Sequence, residues 1–133
     1  MIGGVVVAHE NLAKELLNVA SVIVGTPHNV TAVSIGWQED VEDAKQQIKN
    51  AIKKVDTGSG VLMMTDMFGG TPSNLCLSFL QEHHIEVVTG VNLPMLIKFL
   101  GLRDETDLEQ VAQKIKEQGK RSISVAGEIL KAK

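Results

Sequence analysis

Short apolar runs alternate with amphipathic stretches along the whole chain. Four of the runs are nearly continuous in apolar residues, which predicts strands buried on both faces. These predicted strands cover residues 2–8, 30–35, 60–65 and 85–89. Strands of this kind separated by helices indicate a parallel sheet with helices on both sides.

Apolar residues at helical spacing predict a helix after each of these runs. Residues 12–24 and 41–55 are expected to form the first two helices, the first stopped by Gly25 and Pro27. Thr71 is a suitable N-cap for the third, with Pro72 as its first helical residue. That helix should turn a group of apolar side chains inward, namely Leu75, Cys76, Phe79 and Leu80.

The last third of the chain predicts two more helices and a different kind of strand. Pro94 opens a short helix that stops at Gly101. Thr106 and Glu109 form a capping box for the final helix, which Gly119 ends. Residues 122–125 then alternate polar and apolar side chains, which is typical of a strand with one buried face at an antiparallel edge.

The number and order of these elements predict one α/β domain over residues 1–133, a flavodoxin-like, doubly wound sheet. Its four parallel strands are expected in the order 2-1-3-4, with the C-terminal strand at an edge. The winding direction reverses between the first and third strands, so a ligand or reaction site belongs at their carboxyl ends.

Two residues with useful chemistry follow those two strands directly. His9 comes after the first and Asp66 after the third, so we expect them to face each other. A carboxylate that accepts a hydrogen bond from one ring nitrogen leaves the lone pair of the other nitrogen free to act as a nucleophile. It also stabilises the positive charge that develops when the ring attacks phosphorus.

A glycine-rich turn at the same edge suits a phosphate. Gly69 and Gly70 let the backbone approach closely, and the N–H groups at the helix start, with the Thr71 hydroxyl, can bind phosphate oxygens. Phosphoryl transfer mainly requires positioning and charge stabilisation. Singly, each feature has a structural interpretation, as a loop hydrogen bond, a turn cap or a helix start. Their coincidence at one switch point favours a functional site.

Other candidate residues carry weaker signals. His28 lies in a turn and is expected in solvent, and His83 and His84 end a helix, where imidazole is often structural. Cys76 and the pair Met63 and Met64 are expected in the core. Trp37 lies in a loop on the crevice side, where it could pack over the site, meet a partner or simply be exposed.

Composition excludes several classes of function. The 133 residues carry a net charge of -3 without a basic run, which argues against binding to nucleic acid or an anionic membrane. A single cysteine suits a reducing compartment, and neither a signal peptide nor a membrane span is predicted, so we expect a cytoplasmic protein. No nucleotide-binding motif or metal-ligand spacing occurs, so no cofactor and no metal are expected.

Three segments together resemble a known family. Val-Val-Val-Ala-His9-Glu, Met-Thr-Asp66-Met-Phe-Gly-Gly-Thr71-Pro72-Ser-Asn74 and Thr-Gly-Val-Asn92-Leu-Pro94-Met-Leu resemble the IIA domain of mannose-type sugar phosphotransferase systems. The resemblance implies that His9 accepts phosphate from the carrier protein HPr and donates it to a IIB protein. It also implies that Asp66 orients His9, that Thr71 lies in the phosphate pocket, and that a homodimer exchanges the C-terminal strand.

Glu10 departs from the small residues that relatives often carry beside the histidine, and we expect it to face solvent. Many relatives continue into a IIB domain, whereas this sequence shows none after its last predicted strand. The acceptor is therefore expected to be a separate polypeptide.

Three alternatives stay open at this point. The same histidine could serve regulation or feed phosphate to dihydroxyacetone kinase. The domain could be a response-regulator receiver, although the acidic cluster and lysine of that chemistry are missing, or a plain ligand-binding module. The sequence does not identify the transported sugar.

Overall fold

A four-stranded parallel sheet forms the centre of the molecule. The computed structural model describes residues 1–82 and 84–131. The strands are β1 (Gly3–His9), β2 (Val30–Ile35), β3 (Val61–Thr65) and β4 (Ile85–Thr89). All pairings are parallel and the order is β2-β1-β3-β4, which confirms the predicted α/β class and strand order.

Six helices are formed by the described residues. They are α1 (Leu12–Val24), α2 (Val41–Val55), α3 (Thr71–Leu77), α4 (Leu93–Leu100), α5 (Leu108–Arg121) and α6 (Ala126–Lys131). Within the described ranges, none of these helices is both long and apolar enough to cross a membrane. The first two helices begin and end where the sequence predicts, and α4 ends at Gly101 as expected.

The core lies on both faces of the sheet. One face packs against α2 and α3, with Ile48 and Cys76 among the buried residues. The other packs against α1, α4 and α5, with Leu96 and Ile115 buried. Because β1 and β3 are covered on both sides, their side chains are apolar at nearly every position, and this explains the continuous apolar runs.

Helix α5 differs from the prediction at both ends. The side chain of Asp107 caps it by accepting a hydrogen bond from the Gln110 N–H at 3.2 Å, so the predicted Thr106–Glu109 capping box is wrong. The helix also continues through Gly119. That glycine permits close packing, because a Cβ there would lie 2.6 Å from the Met95 sulfur.

Helix α3 is shorter than predicted. Gly70 is its N-cap and Thr71 its first residue, so the assignment of Thr71 as N-cap is wrong. Beyond Leu77 the chain continues in turns, and Leu80 is 39% exposed rather than turned inward. Because the helix ends at Leu77, Leu80 no longer follows helical spacing and its side chain turns toward solvent. His83 lies outside the described residues.

Residues 122–125 form no strand with the rest of this chain, in contrast to the prediction. Ser122 closes α5, and the Glu128 N–H donates to the Val125 carbonyl to start α6. Among the described strands, β4 pairs only with β3. A strand with one apolar face forms only where it pairs with an edge, and here residues 123–125 instead form an irregular link between α5 and α6. Exchange of this segment between two chains stays a prediction.

Candidate functional site

The parallel register brings His9 and Asp66 together. Val7 of β1 pairs with Thr65 of β3, so the residues that follow them leave the sheet side by side. The His9 Nδ1 atom lies 2.8 Å from Asp66 Oδ2. The His9 backbone N–H donates to the same oxygen at 2.9 Å, which fixes the carboxylate relative to both the ring and the main chain of the histidine.

Asp66 is held in its ionised form. Burial alone would raise the pKa of this carboxyl, but hydrogen bonds from the His9 backbone and ring, the charge of His9 and the Met67 N–H together lower it below its ordinary value. The Met67 N–H donates to Asp66 Oδ1 at 2.9 Å. An ionised carboxylate only accepts hydrogen bonds. In the neutral ring the proton therefore lies on Nδ1, and the lone pair is on Nε2.

The turn between β3 and α3 has a fixed backbone. Gly69 adopts a left-handed conformation with φ 91°, which glycine tolerates without strain. Its N–H donates to Ser73 Oγ at 2.9 Å, and the Ser73 hydroxyl donates to the Gly70 carbonyl at 3.1 Å. Ser73 is fully buried and secures the turn. Sequence reasoning missed this residue, whose only signal was its position two residues into a glycine-rich helix start.

Gly70 lies against the reactive edge of the imidazole. A Cβ at this position would stand 2.9 Å from His9 Cε1 and 3.5 Å from His9 Nε2. The first distance is shorter than real Cβ contacts, so a side chain would displace the ring. The close approach of backbone and ring explains why glycine stands here.

Two of the three predicted phosphate-binding residues keep free donors. In the described part of the chain, no hydrogen bond uses the N–H groups of Gly70 and Thr71 or the Thr71 hydroxyl. Thr71 is exposed. The Gly69 N–H is already bound to Ser73, so Gly69 contributes a backbone conformation here and not a free donor.

Trp37 packs over the histidine. The centroids of the two rings lie 4.6 Å apart with an interplanar angle of 28°. Of the three roles that the sequence left open for Trp37, the structure shows packing over the site, with the residue still 75% exposed. The Glu10 side chain is exposed as expected, and its Oε1 accepts a hydrogen bond from the backbone N–H of Trp37 at 3.2 Å.

The other candidate residues lie outside the site. His28 is exposed at the opposite edge of the sheet, before β2. Cys76 is fully buried, and burial together with the charge of Asp66 raises the pKa of its thiol to about 12. Met63 and Met64 are fully buried core residues. These positions confirm the structural interpretations of all four.

Together these features define a class of site. A nucleophilic ring nitrogen stands at the switch point of a doubly wound sheet, beside an ionised carboxylate and a glycine turn with free donors. Such an arrangement can carry a group covalently on histidine. Because Nε2 is the ring nitrogen left without a carboxylate partner, it is the atom that would hold the group.

Comparison with known proteins places the chain in a family. The family model EIIA-man, described as "PTS system fructose IIA component", matches residues 3–116. The fructose-specific EIIA component of Bacillus subtilis (strain 168) is 30% identical over 98% of this chain and 90% of its own length. The mannose-specific EIIAB component of Escherichia coli (strain K12) is 33% identical over 76% of this chain but only 32% of its own length.

A solved structure supports the fold. The phosphotransferase system component EIIA from Streptococcus agalactiae superposes with a TM-score of 0.86 at 23% identity, covering 96% of this chain and 99% of that chain. The chain therefore belongs to the EIIA-man family of phosphotransferase system components, whose role is phosphotransfer in sugar uptake.

Proposed function

We propose that this protein carries a phosphoryl group on Nε2 of His9, as a phosphohistidine intermediate between two other proteins. The 2.8 Å contact between His9 Nδ1 and Asp66 Oδ2 supports this proposal most directly. It leaves Nε2 as the nucleophile and places a negative charge beside the ring.

The transfer step uses these atoms as follows. The Nε2 lone pair forms a bond to phosphorus while the bond between phosphorus and the donor breaks, and its electron pair stays with the donor. The imidazole keeps its proton on Nδ1 and becomes cationic. The Asp66 carboxylate stabilises that charge without taking the proton. No proton has to move, so positioning and electrostatics carry the catalysis.

The turn after β3 supplies the phosphate contacts in this proposal. The N–H groups of Gly70 and Thr71, with the Thr71 hydroxyl, bind the oxygens of the arriving group. Gly69 gives the turn its left-handed backbone conformation. The Glu10 carboxylate accepts a hydrogen bond from the Trp37 backbone, so it is directed away from the proposed phosphate site.

The partners follow from the family. We propose phosphorylated HPr as donor and a IIB protein as acceptor, acting in the cytoplasm. The His9 side chain is mostly buried but keeps 17% of its surface accessible at the edge of the sheet, which leaves it within reach of another protein. The Escherichia coli relatives are named EIIAB components, in agreement with a IIB partner for the IIA site.

We also propose that two copies associate through the C-terminal segment. A groove of about 720 Å³ runs between β4 and α5, lined by Val88, Ala112 and Lys116 among others. It borders the free edge of β4, where a further strand could pair. The segment after α5 exposes Ile123 and Val125 at 77% and 62%, and such a segment from a second copy would suit this groove.

Labelling with phosphoenolpyruvate, enzyme I and HPr tests the carrier function. We expect an acid-labile, base-stable label on the wild-type protein, no label on His9→Ala, and full label on His28→Ala, a matched control at the other edge of the sheet. A label that survives in His9→Ala would contradict the proposal. A base-labile label on Asp66 obtained with acetyl phosphate and Mg²⁺ would favour a receiver domain instead.

A further inference from the structure

The indole of Trp37 covers the imidazole that is proposed to carry phosphate. The ring centroids are 4.6 Å apart, within the distance of about 6 Å at which a cation is attracted to an aromatic face. Trp37 is 75% exposed, so it buries little area against the core. Packing of the fold therefore does not explain this position.

Hydrogen bonds fix the backbone of the loop that carries Trp37. The backbone N–H of Trp37 donates to Glu10 Oε1 at 3.2 Å, and the backbone N–H of Glu10 donates to the Ile35 carbonyl at 2.9 Å. The Gly36 N–H donates to Glu39 Oε2 at 3.1 Å. The start of the loop after β2 is thus tied to the end of β1 through Ile35 and Trp37, and the Gly36–Glu39 bond braces the loop internally, so the backbone that carries the indole is fixed beside the ring.

We propose that Trp37 is a positioning residue that stabilises the phosphorylated form of His9. This inference rests on the proposed function. When Nε2 bonds to phosphorus while Nδ1 keeps its proton, the ring becomes a cation, and the electron-rich face of the indole attracts it. The stack also restricts rotation of the ring and covers one of its faces against water.

Hydrolysis of the phosphoprotein removes that attraction. The oxygen of water joins phosphorus, the bond from Nε2 to phosphorus breaks with its electron pair returning to the ring, and both water protons leave with the phosphate. The ring becomes neutral as the bond breaks. Trp37 therefore stabilises the phosphorylated ground state more than the transition state, and it slows hydrolysis.

The lifetime of the isolated phosphoprotein measures this effect without partner proteins. We expect Trp37→Ala to shorten it by about two- to fivefold, the range of an exposed cation–π contact. Trp37→Phe should recover part of the lifetime, because phenylalanine has the weaker aromatic face. Phe68→Ala is the matched control: Phe68 is an aromatic residue 70% exposed at the same edge, and its removal should leave the lifetime unchanged.

Fluorescence gives a second readout, because Trp37 is the only tryptophan. We expect treatment with the phosphorylating proteins to change its emission in the wild type and in Phe68→Ala, and to leave it unchanged in His9→Ala, which takes up no label. Equal lifetimes for wild type and Trp37→Ala, or equal losses in Trp37→Ala and Phe68→Ala, would overturn the inference while leaving the carrier function intact. If no wild-type label forms at all, the proposed function itself fails.

Discussion

At the His9 edge of the sheet, one chain buries the important side chains by itself, whereas in the segment 122–131 it leaves apolar side chains exposed. The side chains of His9 and Asp66 are only 17% and 11% exposed, and they bind each other. In the C-terminal segment, Ile129 and Leu130 are 54% and 69% exposed. The difference indicates that the candidate site is built within one chain, whereas the segment 122–131 presents apolar surface of the kind found at interaction sites.

The largest expected effect falls on the tight contact between backbone and imidazole. Gly70→Ala should slow phosphorylation roughly 100-fold, because displacing a reacting atom by about 1 Å can cost that much. The new Cβ would stand 2.9 Å from His9 Cε1. Rapid-quench measurement of label transfer from HPr tests this prediction.

Gly36→Ala is the matched control for that measurement. Gly36 lies in the loop after β2 at the same edge, and a Cβ there has 4.0 Å to its nearest neighbour, Glu39. Its transfer rate should match the wild type. A normal rate in Gly70→Ala would show that the imidazole has room to move, and would contradict the prediction that the Gly70 backbone fixes its position.

A smaller effect is expected from the carboxylate. Asp66→Asn keeps the shape of the side chain but loses the charge that stabilises the cationic ring, so transfer should slow by about tenfold or more. The domain should stay folded, because Asp66 lies at the edge of the sheet. Stopped-flow transfer rates together with circular dichroism check both statements, and an unchanged rate would remove the orienting role of Asp66.

Removal of the C-terminal segment tests whether it acts independently of the His9 site. A chain that stops after Arg121 should accept phosphate within about twofold of the full-length rate, because distant sites act independently. Its sedimentation behaviour should shift from dimer to monomer. If the shortened chain lost phosphorylation, the two regions would be coupled. If it remained dimeric, the exchange of this segment would be excluded.

The smallest effect concerns acid stability. The lowered pKa of Asp66 means that its stabilising contribution is complete above the ordinary value of 3.8 and is lost as the pH falls through the lower folded value. The wild type should therefore exceed Asp66→Asn in urea midpoint at about pH 7, and this difference should shrink at about pH 3. A difference that stays constant would mean that Asp66 does not titrate with folding.

The sequence predicts the fold and the central pair well because both follow from order along the chain. Continuous apolar runs identify β1 and β3, and the parallel register then forces His9 and Asp66 together. Capping was predicted less well, since Thr71 and Gly70 both fit a helix start, and only backbone geometry decides between them.

Other features depend on contacts between distant segments. The stack of Trp37 on His9 requires the loop after β2 to fold over β1, and no periodic pattern encodes this. The alternation at residues 122–125 is compatible with a strand, but within one chain these residues pair with no edge and link α5 to α6.

Nitrogen-15 NMR of the phosphorylated protein would show which nitrogen of His9 carries the phosphate. With histidine labelled, the shifts and phosphorus couplings of His9 identify the nitrogen that bears phosphate and the nitrogen that bears the proton. We expect phosphate on Nε2 and a proton on Nδ1 that is hydrogen-bonded to Asp66. Phosphate on Nδ1, or on a residue other than His9, would contradict this expectation.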